Sequence, residues 1–405
     1  MQKKLIALAV AGLAAAPAFA QTNVTIYGVA DATFDNVRAT STTAAGDKLG
    51  STNRVSTNSS YLGFKGTEDL GNGLKAVFQF ESGISSDAAT GTWASRDSFV
   101  GLSGGFGTVV AGNLTGPTRA LGAALDVNSG ATGIGANSGL LGKLGGNALV
   151  GTTNANGSYT PTSYGTPPAT GCDRSSTCTS VFDTRWKNAI AYVSPSFAGV
   201  TLTGAYVANE NHSFDGTAST KQVNTQGYDL GVNYNNGPIM AGLTYNAVTI
   251  RNDKELRVSN LRLGGSYNFG VASVRALVER ADYQNTDGSV HQYTWGLGAT
   301  YNVTTNGKII AQFYRAQNIN GDAKVGLNNV AVDGNYNNTG AKLFELGYEH
   351  SLSKRTIVKA AYSYLKNDSN ANYDYGVNAA GIQTAAGNGY GAKLNGIQVG
   401  VRHSF

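Results

Sequence analysis

Side chains able to do covalent or metal chemistry are few in this sequence and far apart. The 405 residues include four histidines, His212, His291, His350 and His403. None stands with Ser and Asp in a spacing that suggests a nucleophilic triad. His403 alternates into one apolar face with Ile397, Val399, Val401 and Phe405, a place for an interfacial ring rather than a catalyst. Glycine-rich pieces such as GLSGGFG lack the Lys-Ser/Thr ending and the following helix of a phosphate loop. No enzymatic activity, metal or cofactor is expected. The charged groups that remain belong to the polar faces of alternating segments. Asp31, Glu81, Arg262, Arg275 and Glu279 are inward candidates of this kind.

Composition narrows the class further. Glycine supplies 54 of the residues, charged residues only 14%, aromatics 9%, and the mean hydropathy is −0.18. The charged share is well below the roughly 25% of an ordinary soluble domain. After residue 20 no apolar stretch is long enough for a transmembrane helix. The aromatics argue against disorder, and the lack of Lys/Arg clusters argues against nucleic acid. Residues 1–20 carry Lys3 and Lys4, an apolar run from Leu5 to Ala16, and Ala18-Phe19-Ala20 as a small-x-small site. This is the order of a secretory signal peptide. In the oxidising compartment that follows export, Cys172 and Cys178, with five residues between them, are expected to close one small disulfide loop.

Most of the chain alternates apolar with polar, charged or glycine residues at period two, the strand signal. Leu261, Leu263, Gly265, Tyr267 and Phe269 stand against Arg262, Gly264, Ser266 and Asn268, for example. Tyr and Phe gather near strand ends, and short turns alternate with longer polar connections. Because lipid cannot satisfy an open sheet edge, a spanning sheet must close on itself. The pattern predicts an all-β, 16-stranded antiparallel transmembrane β-barrel over residues 21–405. Its strands are placed at 22–34, 53–66, 73–84, 95–104, 107–115, 184–194, 199–208, 224–236, 238–250, 257–269, 271–283, 289–303, 308–317, 340–351, 354–366 and 390–405. A barrel of this size leaves an aqueous channel. The connection 116–183 is too long for a simple loop. Its first half, with a short helix near Arg119–Leu125, is expected to fold into the lumen, and its second half to lie outside.

Four segments resemble the general Gram-negative porins, particularly the β-proteobacterial type: VTIYGVADATF, GFKGTEDLGNGL, FVGLSGGFGTVVAG and the closing GIQVGVRHSF. The resemblance covers essentially the whole exported chain. It implies an outer-membrane homotrimer in contact with lipid and lipopolysaccharide, with the third external loop folded inside each barrel. Small hydrophilic solutes and ions would diffuse passively through the constriction. The terminal Phe405 resembles the aromatic signal read by the barrel assembly machinery.

In such porins wall arginines face carboxylates on the inserted loop. Arg96 and Arg185 match two of those arginines, and Asp126 is the best loop carboxylate. Tyr61 and Asn113 stand where further arginines are usual, and Arg54 and Arg119 are candidates to compensate. Asp31 and Glu81 complete the expected constriction set. Three other readings have distinct tests. A channel selective for sugars or organic anions would show saturable, blockable current. A barrel lipase would hydrolyse lipid. An adhesin would lose adhesion on deletion of 145–180.

Overall fold

The computed structural model describes residues 23–40, 49–88, 90–144, 152–153, 159–160, 180–208, 224–251, 255–285, 288–322, 336–382 and 389–405. Sixteen staves form the barrel. The first is β1 (Asn23–Thr40), followed by β2 in two pieces, Leu49–Thr57 and Tyr61–Gly71, and by β3 (Leu74–Ser85). Next come β4, with Thr90–Thr92 and Ser98–Gly104, and β5 (Gly107–Thr115). After the long connection stand β6 (Arg185–Val193), β7 (Val200–Val207), β8 (Asn224–Asn236), β9 (Ile239–Arg251) and β10 (Glu255–Asn268). The circuit continues through β11 (Ala272–Asn285), β12 (Gly288–Asn302) and β13 (Gly307–Ala316, with Asn320–Gly321). It ends with β14 (Ala341–Ser351), β15 (Thr356–Asn367) and β16 (Lys393–Ser404). Neighbours run antiparallel, and β1 closes on β16 from Val29↔Ser404 to Thr40↔Lys393. The sheet therefore has no free edge.

Alternation decides which way each side chain points. Ile26, Phe34, Val100, Leu202, Leu230, Leu243, Leu263, Leu297, Leu346, Ile397 and Val399 are all exposed on the outside. So broad an apolar belt is stable only against hydrocarbon. Tyr267 and Phe269, with ring centroids 4.5 Å apart, and Tyr301 and Phe405 mark one rim of it. No helix among the described residues is long and apolar enough to cross a membrane, and the strands do the crossing. Hairpin turns use residues that tolerate the left-handed region: Asn72 has φ +52° and Gly73 φ +78° between β2 and β3.

The expected strands are all present, with three changes. The first runs on to Thr40 rather than stopping at 34. The second begins at Leu49 and breaks at Asn58–Ser60, where Asn58 turns inward. Its amide donates to Asp31 Oδ1 at 3.0 Å and Thr33 Oγ1 at 2.9 Å, and Ser59 takes φ +52°. The fourth is interrupted between Thr92 and Ser98, a bend in which Arg96 N still donates to Glu81 O at 3.0 Å. Inside, a large apolar cluster joins Leu121, Leu125, Ile134 and Leu140 of the long connection to Leu343, Leu365 and Leu394 of the wall. Much of the cross-section is thus solid core.

Candidate channel constriction

The long connection enters the lumen through a helix, α1 (Pro117–Leu125), with proline in its first turn. Gly116, which precedes it, has no side chain to cap the free N–H groups. The wall supplies the cap: Asp229 on β8 accepts from Thr118 N at 3.2 Å and Thr118 Oγ1 at 2.7 Å. It also accepts from Trp186 Nε1 at 3.1 Å. Pro117, Thr118, Leu121, Gly122 and Leu125 are buried against the wall. The wall makes room for them with glycines at inward positions. A Cβ at Gly231 would meet Pro117 Cβ at 2.5 Å, one at Gly242 would meet Leu121 Cδ1 at 2.7 Å, and one at Gly298 would meet Val127 Cγ1 at 2.7 Å. Gly264 seats Leu125 and Gly396 seats Ile134 in the same way. The inserted loop and the wall therefore approach closer than any side chain would allow.

Charge locks both ends of this loop. Arg262, 0% exposed, donates to Thr118 O at 2.8 Å, to Asp183 at 3.0 and 3.1 Å, and to Glu279 Oε2 at 2.8 and 3.1 Å. Glu279 also accepts from Gly142 N at 2.5 Å. Farther along, Asn128 donates to Glu345 at 2.7 Å, and Ser129 donates to Glu349 at 2.6 Å through its hydroxyl. Lys143 is 1% exposed, and its Nζ has no hydrogen-bond partner among the described residues. Burial pushes this amine down to about 8, partly offset by Asp374 and Asp183.

A second connection, between β15 and β16, also folds inward over residues 368–382, which the alternation did not predict. Tyr373, Asp374 and Tyr375 are all 0% exposed. The Asp374 carboxylate accepts four backbone N–H groups, from Tyr375, Ala380 and Gly381 at 2.7–2.8 Å and from Ile382 at 3.3 Å. This segment packs on the first inserted loop where Gly376 lies against Ser138 and Gly139.

The residues picked from sequence fall into three groups. Arg96, Arg185 and Arg119 stand together beside the water-accessible side of α1. Arg96 pairs with Glu81 and lies 4.5 Å from the ring of Tyr61, which meets Tyr27 edge-on at 6.1 Å. Tyr27 donates to Glu81 at 3.1 Å. Arg185 pairs with Asp97 at 2.8 Å, and Asp97 is fixed by Thr115 at 2.6 and 3.0 Å. Arg119 has no hydrogen-bonded or ion-paired carboxylate among the described residues, and desolvation together with Arg185 and Arg96 lowers its guanidinium to about 10. Its exposed neighbours on α1 are Ala120, Ala123 and Ala124.

Arg54 and Asp31 form a second group along β1 and β2. Arg54 holds Asp35 at 3.3 Å and the carbonyls of Ala379 and Asn378, so it anchors the second inserted segment. Asp31, 1% exposed, is shared by Lys359 at 2.8 Å and Arg402 at 3.1 Å.

Asp126 forms the third group alone and corrects the expectation of a channel-facing loop carboxylate. It is 2% exposed and spends its oxygens on Asn128 N at 2.8 Å and Asn137 N at 2.6 Å. Burial raises its carboxyl above the ordinary range despite those bonds. The reason is its place at the C-terminus of α1, where the chain folds back on itself. The channel side of the described inserted loop thus carries a cation, not the expected anion. Cys172 and Cys178 lie outside the described residues. At the chain end, Phe405 N donates to Gly28 O at 3.1 Å, and its ring covers Gly28 on the outer face.

A closed antiparallel barrel of sixteen staves, apolar outside and narrowed by charged loops within, is a transmembrane diffusion channel. The sequence matches the Gram-negative porin family over residues 7–371, and the chain belongs to that family. It is 32% identical to outer membrane porin protein 32 of Delftia acidovorans, over 100% of both chains. It is 28% identical to major outer membrane protein P.IB of Neisseria gonorrhoeae, over 92% of this chain and 95% of that one. The solved anion-selective porin from Comamonas acidovorans superposes with a TM-score of 0.70 at 27% identity, covering 95% of this chain and 100% of that one. The protein is an outer-membrane porin through which small solutes diffuse passively.

Proposed function

We propose that solutes pass between α1 and the wall carrying Arg96 and Arg185, and that Arg119 makes this passage prefer anions. The observation that carries this reading is the charge balance. Arg96 and Arg185 each have a carboxylate, Glu81 and Asp97, whereas Arg119 has none among the described residues and Asp126 is turned away. A guanidinium with no ion-paired carboxylate at a narrow point, attracted by Asp183 and Asp97 only from farther off, raises the local anion concentration. The Comamonas acidovorans neighbour, described as anion-selective, supports the same sign. Arg54 and Asp31 serve the walls of the channel, Arg54 by holding the second inserted segment.

The remaining assignments follow the sequence. Residues 1–20 direct export, Cys172 and Cys178 form a disulfide in the external half of the long connection, and Phe405 engages the barrel assembly machinery. Three copies associate through part of the apolar belt, with lipid and lipopolysaccharide covering the rest.

The test is reversal potential in planar bilayers under a salt gradient. The wild type gives an anion-preferring potential. Replacing Arg96→Glu and Arg185→Glu together sets four carboxylates beside one arginine and reverses its sign. An unchanged potential in that variant removes both arginines from the constriction.

A further inference from the structure

The inward faces of β4 to β7 carry an apolar strip separate from the cluster that includes Leu343, Leu365 and Leu394. Two adjacent cross-strand rows there consist of Phe99, Gly112, Ala189 and Val207, and of Gly101, Val110, Ala191 and Ala205. None of these eight residues, two of them glycines, has a polar side-chain atom. Val77 on β3 extends the second row opposite Gly101. Elsewhere inward positions carry groups such as Arg262, Glu279, Gln312, Glu345 and Gln398. Phe99, Val77 and Val207 each pack against one core cluster yet remain half-exposed, Phe99 and Val77 on neighbouring strands. The strip also adjoins the cations. Phe99 is two residues from Asp97, the partner of Arg185. Arg119 stands beside that pair, and its exposed neighbours on α1 are alanines.

We propose that this strip and Arg119 together form a retention site for small carboxylates with an apolar body, such as aromatic acids. The carboxylate meets the unpaired guanidinium through a charge-assisted contact. The ring or alkyl body lies on Phe99 and Val77 and removes apolar surface on both partners from water. A chloride or acetate ion gains only the first of these. This assignment rests on the diffusion-channel reading and names the solute class held at its constriction.

The experiment uses the full-length protein in planar bilayers carrying chloride current, with benzoate or acetate added at equal concentration. Benzoate is expected to reduce single-channel current saturably, and acetate is not. Phe99→Asn with Val77→Thr should raise the half-blocking benzoate concentration about five-fold or more, with chloride conductance and ion preference unchanged. Arg119→Gln should weaken the block and lower the anion preference together. If the double variant does not fold, as judged by heat-modifiable gel mobility, Val77→Thr by itself should weaken the block and leave ion preference unchanged. A wild-type channel that conducts chloride but responds equally to benzoate and acetate overturns the site and leaves the channel reading standing. So does a block unaffected by these strip substitutions. Absence of any current overturns both.

Discussion

Arg262 on the barrel wall grips both carboxylate oxygens of Asp183, the residue at which the long connection rejoins the barrel, at 3.0 and 3.1 Å. The same guanidinium holds Thr118 O at the start of α1, so one side chain ties entry and exit of the inserted loop. Breaking a buried pair from one side leaves the other charge uncompensated, at a cost of about 3–5 kcal/mol. Arg262→Met should lower the melting temperature in detergent and add open-state noise to single-channel records. A quiet trace and unchanged melting would show that the loop is held by its apolar contacts alone.

The glycine seats make a second, steric prediction. A Cβ at Gly298 would lie 2.7 Å from Val127 Cγ1, with its next neighbours at 3.8 Å. Gly298→Ala should therefore cost about 1–3 kcal/mol through overpacking. Combining it with Val127→Ala should cost less than the two single changes summed. Thermal melting of the four proteins in the cycle checks this, and strict additivity would contradict the contact.

Ion preference should depend on alkaline pH in one direction. The Arg119 guanidinium is lowered to about 10 by desolvation, Arg185 and Arg96. A base loses its charge as pH rises through its pKa, so anion preference should be flat from about pH 6 to 8 and decline between about pH 9 and 11. Arg119→Gln should lower the preference and abolish the decline. A decline that persists in that variant would assign it to another group.

Lys143 should be a liability for stability. Burial brings its amine to about 8, whereas an unfolded lysine holds its proton to about 10.4. The unfolded state binds the extra proton between these values, so stability rises with pH there and the penalty is full below about 8. Lys143→Met should stabilise the protein by up to about 3 kcal/mol at pH 7 and by little near pH 10. Melting curves at the two pH values decide it. A destabilised variant at pH 7 would mean that the amine is paired.

The second inserted segment hangs on Asp374. Removing its carboxylate leaves four backbone N–H groups without their acceptor, each costing about 1–3 kcal/mol while buried. Asp374→Ala should release residues 371–382 from the lumen, raise single-channel conductance and open that stretch to protease. Unchanged conductance would show that the segment stays seated through Tyr373 and Tyr375.

The barrel was legible in the sequence because its physics is local. Alternation such as Leu261-Arg262-Leu263-Gly264 records which atoms meet lipid and which meet the lumen. The break in β2 was not legible, because Asn58 leaves the ladder for Asp31 and Thr33, partners on another strand. Asp126 was legible as an acid but not in its use. The signal available was its spacing from Asn128, which suits a side chain accepting the backbone N–H two residues on. The inward glycines at 242, 264 and 298 were visible as a polar-face pattern, but their purpose depends on Leu121, Leu125 and Val127 arriving from a distant segment. The fold of 368–382 was hidden for a similar reason, since Asp374 satisfies it from within and nothing in its composition marks it as interior.

The pairing of β1 with β16 also governs biogenesis. Twelve residue pairs, from Val29↔Ser404 to Thr40↔Lys393, form only when β16 reaches the first strand. A nascent or truncated chain ending before Lys393 would present β1 and β15 to the bilayer as bare rims of unpaired amides. Membrane insertion and ring completion must therefore be one event, and C-terminal deletions should leave an unfolded precursor rather than a smaller pore.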